Sequence, residues 1–124
     1  MFTYPKKEKL KSHTTINELF MSGKSVSKYP LRMVYVPIKS TDNTPLSIGV
    51  SVSKKHFKKA VDRNYYKRLL RESYRLNKQA LLDVIDQPYA IMFFYQTKDR
   101  LDYAKINEKM EQMIEKFKYQ IETK

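Results

Sequence analysis

The chain has 124 residues, no cysteine, and a formal charge of +12 from 25 Lys and Arg against 13 Asp and Glu. This length suits one domain with a core of its own, and the missing cysteine excludes a disulfide scaffold, a thiol nucleophile and a Cys-ligated zinc site. The two histidines, His13 and His56, are too far apart in sequence for a His-rich metal centre, and the charge calls for a polyanionic partner, most often nucleic acid.

Residues 1–11 read as a flexible, Lys-rich arm, and 1–124 as a single domain. Met1-Phe2-Thr3-Tyr4-Pro5 leads into lysines rather than an apolar run, and no stretch reaches the ~18 apolar residues of a membrane span, so the cytoplasm is the expected compartment. Thr15-Ile16-Asn17-Glu18 fits a capping box with Thr15 as N-cap. A short helix follows, with Ile16, Leu19 and Phe20 as its apolar stripe and Gly23 as its stop. Residues 31–38 read as a strand, 39–45 as a turn around Asp42-Asn43, and 46–53 as a second strand with Leu46, Ile48, Val50 and Val52 on one face. These two strands are expected to pair as an antiparallel hairpin. Residues 55 to about 79 contain no Gly or Pro and read as one long helix. After Pro88, Tyr89–Tyr95 fits a strand buried on both faces. The last helix, about 103–122, carries Ile106, Met110, Met113, Phe117 and Ile121 on one stripe, which reads as core.

The charge is concentrated. Residues 1–80 hold 18 Lys and Arg against 5 Asp and Glu; residues 81–124 hold 7 against 8. Within 54–78 there are ten basic residues and only Asp62 and Glu72 against them. On a helical wheel Arg63, Lys67, Arg71 and Arg75 form a column of cations about 6 Å apart, near the repeat of phosphates along one strand. Asn64, Arg68 and Lys78 share their arc of about 140°, and Val61, Tyr65, Tyr66, Leu69, Leu70 and Leu76 take the remaining, packed side. Like charges at i, i+4 cost a few tenths of a kcal/mol per pair, and a sequence that accepts this cost usually has a polyanion to neutralise it; the alternative is a solvated helix surface. Arginine suits phosphate because it donates two hydrogen bonds at once. Lys58, Lys59 and Arg75 join the set on charge and wheel position. Asn64 is either a sugar, base or phosphate contact or a surface polar residue. Because both side chains lie on the polar arc, Arg63→Ala and Arg68→Ala are expected to weaken nucleic-acid binding and leave the fold intact.

Phe20 and Tyr35 are candidates for stacking on single-stranded nucleic acid, with core packing as the alternative; Phe93, Phe94 and Phe117 are assigned to the core. Asp62 and Glu72 lie about 15 Å apart along a helix, too far to share a metal, and each reads as a charge partner. No acidic cluster suggests a two-metal nuclease centre.

Ser51-Val52-Ser53-Lys54-Lys55, followed by Lys59-Ala60-Val61-Asp62-Arg63-Asn64-Tyr65-Tyr66-Lys67-Arg68-Leu69-Leu70-Arg71-Glu72, resembles the signature of the bacterial ribonuclease P protein subunit. The resemblance is strongest over about 46–76, and the remaining elements fall in family order. It departs at Tyr65, where the family usually has Arg, and at Ile16, often aromatic in the family. The resemblance implies an α+β fold: a first helix, an antiparallel hairpin, a long basic helix, a further strand and a final helix on a mixed sheet, with a left-handed strand–helix–strand crossover. It implies a protein that binds a large catalytic RNA, ribonuclease P RNA, and the 5′ leader of precursor tRNA. The RNA holds the catalytic Mg²⁺ and performs the hydrolysis, so no catalytic residue, metal site, small-molecule substrate or membrane is expected of this chain. Carried over by motif, Lys54, Lys55, Arg63, Asn64, Lys67, Arg68 and Arg71 are RNA contacts; Phe20 and Tyr35 are leader contacts. The rival reading, a general RNA-binding or ribosome-associated basic protein with no catalytic role, explains the charge but not the Lys-Lys and Arg-Asn pattern. A membrane-surface protein would need the apolar face of the basic helix left open, whereas that face is expected to pack.

Overall fold

A computed structural model describes residues 13–38 and 45–122. The expected arm over 1–11 and the Asp42-Asn43 turn lie outside the described residues. The elements in order are α1 (His13–Ser22), β1 (Lys24–Lys28), β2 (Leu31–Pro37), β3 (Leu46–Val52), α2 (Ala60–Val84), β4 (Tyr89–Tyr95) and α3 (Tyr103–Glu122). The strands form one mixed sheet in the order β1-β2-β4-β3.

The α+β class agrees with the sequence reading, and the six expected elements occur in the expected order, but β1 is a further strand that the sequence reading did not include, and the strand pairing differs. Segments 31–37 and 46–52 are not neighbours. β2 pairs antiparallel with β1 and with β4, and β3 pairs parallel with β4. The antiparallel hairpin is therefore β1–β2, turning through Tyr29-Pro30, whose peptide bond is cis. β4 enters between the two segments expected to pair, and α2 is the crossover between parallel β3 and β4.

Two layers follow from side-chain alternation along the strands. On one face Leu31, Met33, Tyr35, Leu46, Ile48, Ile91 and Phe93 meet α2 and α3, with Leu70, Tyr74, Leu81, Ile106, Met110, Met113 and Phe117 fully enclosed. Each such buried side chain contributes about 1.5–3 kcal/mol relative to exposure. On the other face, Leu19 of α1 packs on Val34, Val36 and Ala90. The expected stripe of α3 is core as read, with Ile121 half-buried at its end. Asp102 caps α3 by accepting the N–H of Lys105 at 2.9 Å.

α1 begins at His13, two residues before the expected cap at Thr15. It ends before Gly23 as expected, but not through a left-handed glycine, since no glycine has positive φ. The reason is space. A Cβ on Gly23 would stand 2.3 Å from the carbonyl oxygen of Leu19 and 2.8 Å from a methyl of Val34.

α2 is displaced from the expected 55–79. Residues 54–56 form a turn in which the N–H groups of His56 and Phe57 both donate to the carbonyl of Ser53. Phe57 then drops into the core against Tyr66, with ring centroids 4.8 Å apart, and pulls the chain off the helix axis. At the other end Leu81 continues the buried stripe, so the helix runs on to Val84.

Candidate nucleic-acid interface

The packed side of α2 is not the one that hydrophobicity alone selects. Tyr66, Leu69, Leu70, Ser73, Tyr74 and Leu81 are buried. Val61, Tyr65 and Leu76, expected on that side, are exposed by 70%, 45% and 60%. Polar residues replace them there. The Ser73 hydroxyl donates to Asn107 Oδ1 at 2.9 Å, and Asn77 Nδ2 donates to the same oxygen at 2.9 Å and to the carbonyl of Ser73 at 2.8 Å. This network ties α2 to α3. On the wheel it flanks the Arg63 end of the cationic arc, and the far end of that arc, at Asn64 and Arg68, is exposed.

The fold brings most of the sequence-predicted cations to one surface. Lys54 and Lys55 sit in the turn leaving β3, and Lys59 stands at the start of α2; all three are exposed. Asn64 and Arg68 are exposed one and two turns further on, and Lys67 and Arg71 are half-exposed beside them. Among the described residues no ion pair engages Lys54, Lys55, Lys59, Lys67, Arg68 or Arg71.

Two predicted contacts have structural duties. Arg63 Nη1 donates to the carbonyls of Phe57 at 2.9 Å and Lys58 at 2.8 Å. It pins the Lys54–Lys58 segment against α2, so its removal affects the loop as well as the charge. Arg75 is paired with Glu72, Nη2 to Oε2 at 2.5 Å, which neutralises the end of the expected column. Glu72 is thus a charge partner, as read. So is Asp62, which binds Arg100 at 3.1 and 3.4 Å. The Arg100 hydrogen bond holds the Asp62 carboxyl below the usual carboxylate range. Arg100 also covers the Phe57 ring at 5.3 Å, closing a column in which Phe57, Tyr66 and Tyr95 stack. Sequence reading gave Arg100 no role, because its partners lie 38 and 43 positions away.

The two aromatic candidates part company. Phe20 is 66% exposed on α1. Tyr35 is 3% exposed: its ring packs edge-on against Phe117 and Tyr89, and its hydroxyl accepts from Gln120 Nε2. A ring so enclosed offers no face for a base, so the core alternative holds for Tyr35. Side chains on the opposite sheet face are less enclosed, although Met92 and Phe94 pack against the Leu19 cluster. Register aligns Ser51, Phe94, Arg32 and Ser27 in one row, and Gly49, Met92, Val34 and Ser25 in the next. Phe94 and Met92 are only half-buried, Arg32 is exposed, and the β3 residues beside them are small. Phe93 and Phe117 are core as expected, but Phe94 is not wholly so. The signal was strand alternation: Phe93 and Phe94 must face opposite sides.

The described residues contain no group of three or more His, Cys, Asp or Glu placed to hold a metal ion. None of their helices is long and apolar enough to cross a membrane.

Comparison with known proteins agrees with this architecture. The family model Ribonuclease P matches residues 4–118. A ribonuclease P protein component of Porphyromonas gingivalis is 40% identical over 116 residues, covering 91% of this chain and 85% of that one. One from Dictyoglomus thermophilum is 33% identical over 94% of this chain and 92% of its own. Among solved structures, the RNase P protein of Thermotoga maritima superposes with a TM-score of 0.69 at 23% identity, covering 88% of this chain and 96% of that chain.

Proposed function

Because the chain belongs to the ribonuclease P protein family, the protein component of the endoribonuclease that matures tRNA 5′ ends, we propose how its two faces divide that task. The turn at Lys54–Lys55 and the outer side of α2 bind the ribonuclease P RNA. The open side of the sheet, with Phe94, Met92, Arg32 and the exposed Phe20, receives the 5′ leader of precursor tRNA. Hydrolysis belongs to the RNA, whose phosphates hold the catalytic Mg²⁺. The protein lowers repulsion between the polyanions and orders the single-stranded leader by stacking and apolar contact.

The observation that carries this reading is the row Ser51-Phe94-Arg32, which ends three residues from Lys54. Parallel β3 and β4 finish at the same end of the sheet, where antiparallel β2 begins. An aromatic face, a cation and the lysine turn thereby meet at one edge, where a strand passing over the sheet can continue onto the RNA subunit.

The test is cleavage of a precursor tRNA by a bacterial ribonuclease P RNA at low Mg²⁺, with and without the chain. Restored cleavage at the mature 5′ end is expected. Phe94→Ala is expected to raise the KM for substrates with a leader of several nucleotides and to leave a leader of one nucleotide unaffected. Loss that is equal for both leaders removes the sheet face from the assignment.

A further inference from the structure

We propose that Tyr65 is a stacking site for an unpaired nucleobase of the RNA bound on α2; this rests on the RNA-binding reading of that helix. The residue stands where the family signature has Arg, and a cation would fit the surrounding charge. The structure gives the position a different chemistry. Tyr65 does not join the core: it is 45% exposed on the outward side of α2. Its ring is held edge-to-face against Tyr66, centroids 5.0 Å apart at 88°. Tyr66 is itself fixed in the buried column with Phe57 and Tyr95. Over the Tyr65 ring lies the Arg68 guanidinium, 5.4 Å from the centroid. The ring is thus ordered before any ligand arrives, so a base docking on it costs little side-chain entropy. One turn earlier, Val61 leaves another apolar surface open to solvent.

The occupant follows from the surroundings. A protein partner that used this apolar surface would have to bury Arg68 and the half-exposed Arg71 beside it against carboxylates. An RNA strand satisfies both parts at once, with phosphates on the cations and a base on the ring. A base inside a duplex has no free face, so the site selects an unpaired nucleotide.

The experiment is equilibrium binding of a bacterial ribonuclease P RNA across a salt series by the full chain and by Tyr65→Phe and Tyr65→Leu. Leucine keeps apolar cover on Tyr66 but has no aromatic face. Tyr65→Phe is expected to bind within about twofold of the parent chain. Tyr65→Leu is expected to bind about tenfold more weakly at every salt concentration, with the salt slope unchanged, because stacking releases no counterions. If the leucine variant binds like the parent, or loses about one unit of slope, the proposal is overturned. The second result would mean that Tyr65 serves only to position Arg68 on a phosphate. Failure of the parent chain to prefer this RNA over a structured control of equal length would remove the RNA-binding reading and this proposal with it; loss confined to the leucine variant would not.

Discussion

At the scale of single residues, two arginines that sequence reading treats alike do different work. Arg68 is exposed and its guanidinium lies over Tyr65, in contact with solvent. Arg63 holds two backbone carbonyls of the segment that presents Lys54 and Lys55. Arg68→Ala is therefore expected to weaken RNA binding and reduce the salt slope by about one unit, with unfolding free energy changed by less than about 0.5 kcal/mol. Arg63→Ala is expected to cost about 1–2 kcal/mol of stability, because two charge-assisted bonds to carbonyls are lost from a partly exposed site. Urea denaturation separates the two. Equal stability of both variants would show that the loop holds without Arg63. The cationic character of 54–78 was legible because charge and helical period are local properties. The division between Arg63 and Arg68 was not, because it depends on where Phe57 enters the core. The same holds for Tyr35: strand composition placed it on β2, but only the pairing with β4 and the packing of α3 decide which face it takes.

At the scale of elements, the sheet order explains why the expected hairpin failed. Two strands separated by a short polar connection pair by default. Here β1, a Ser- and Lys-rich strand with only Val26 buried, takes one edge of β2, and the strongly apolar β4 takes the other. β3 is left to pair in parallel on the far side of β4, a contact that no local pattern encodes. α1 fits over this sheet only because Gly23 lets its end close on β2. Gly23→Ala is expected to destabilise the fold by about 1–3 kcal/mol, since the added methyl meets a backbone oxygen that cannot turn away. Thermal melting should show it, and an unchanged midpoint would mean α1 shifts freely. A second link between elements is the Asp62–Arg100 pair, which joins α2 to the connection before α3. The Asp62 pKa is lowered in the folded state, so its contribution is present above the unfolded value of about 4 and is lost as pH falls through the folded one. Asp62→Asn should therefore be less stable than the parent by a constant amount above about pH 5, with the gap closing in more acidic solution. A gap independent of pH down to 2.5 would assign the effect to something other than this charge.

At the scale of the whole molecule, charge asymmetry is as informative as total charge. The basic excess lies N-terminal to residue 80, and among the described residues Lys54, Lys55 and Lys59 follow the end of β3 and lead into the cations of α2. α3 carries Lys and Glu in near balance, with Lys105 paired to Glu108 at 3.6 Å and Lys116 donating to the carbonyl of Ser27 at 3.0 Å. Its lysines therefore add little net field. If Lys54, Lys55, Lys59, Lys67, Arg68 and Arg71 each neutralise one phosphate, the log–log dependence of RNA affinity on salt has a slope of about −4 to −5. Removing two lysines from α3, as in the double variant Lys109→Gln with Lys118→Gln, lowers the net charge as much as removing Lys54 and Lys55. A field that acted through total charge would respond equally to both pairs. A docked face responds only to the second: Lys54→Gln with Lys55→Gln should flatten the slope by about 1.5 units, and the α3 pair should leave it within about 0.3. Equal flattening would show that the RNA senses the whole protein as a diffuse cation, and the division of labour between α2 and α3 would fall with it.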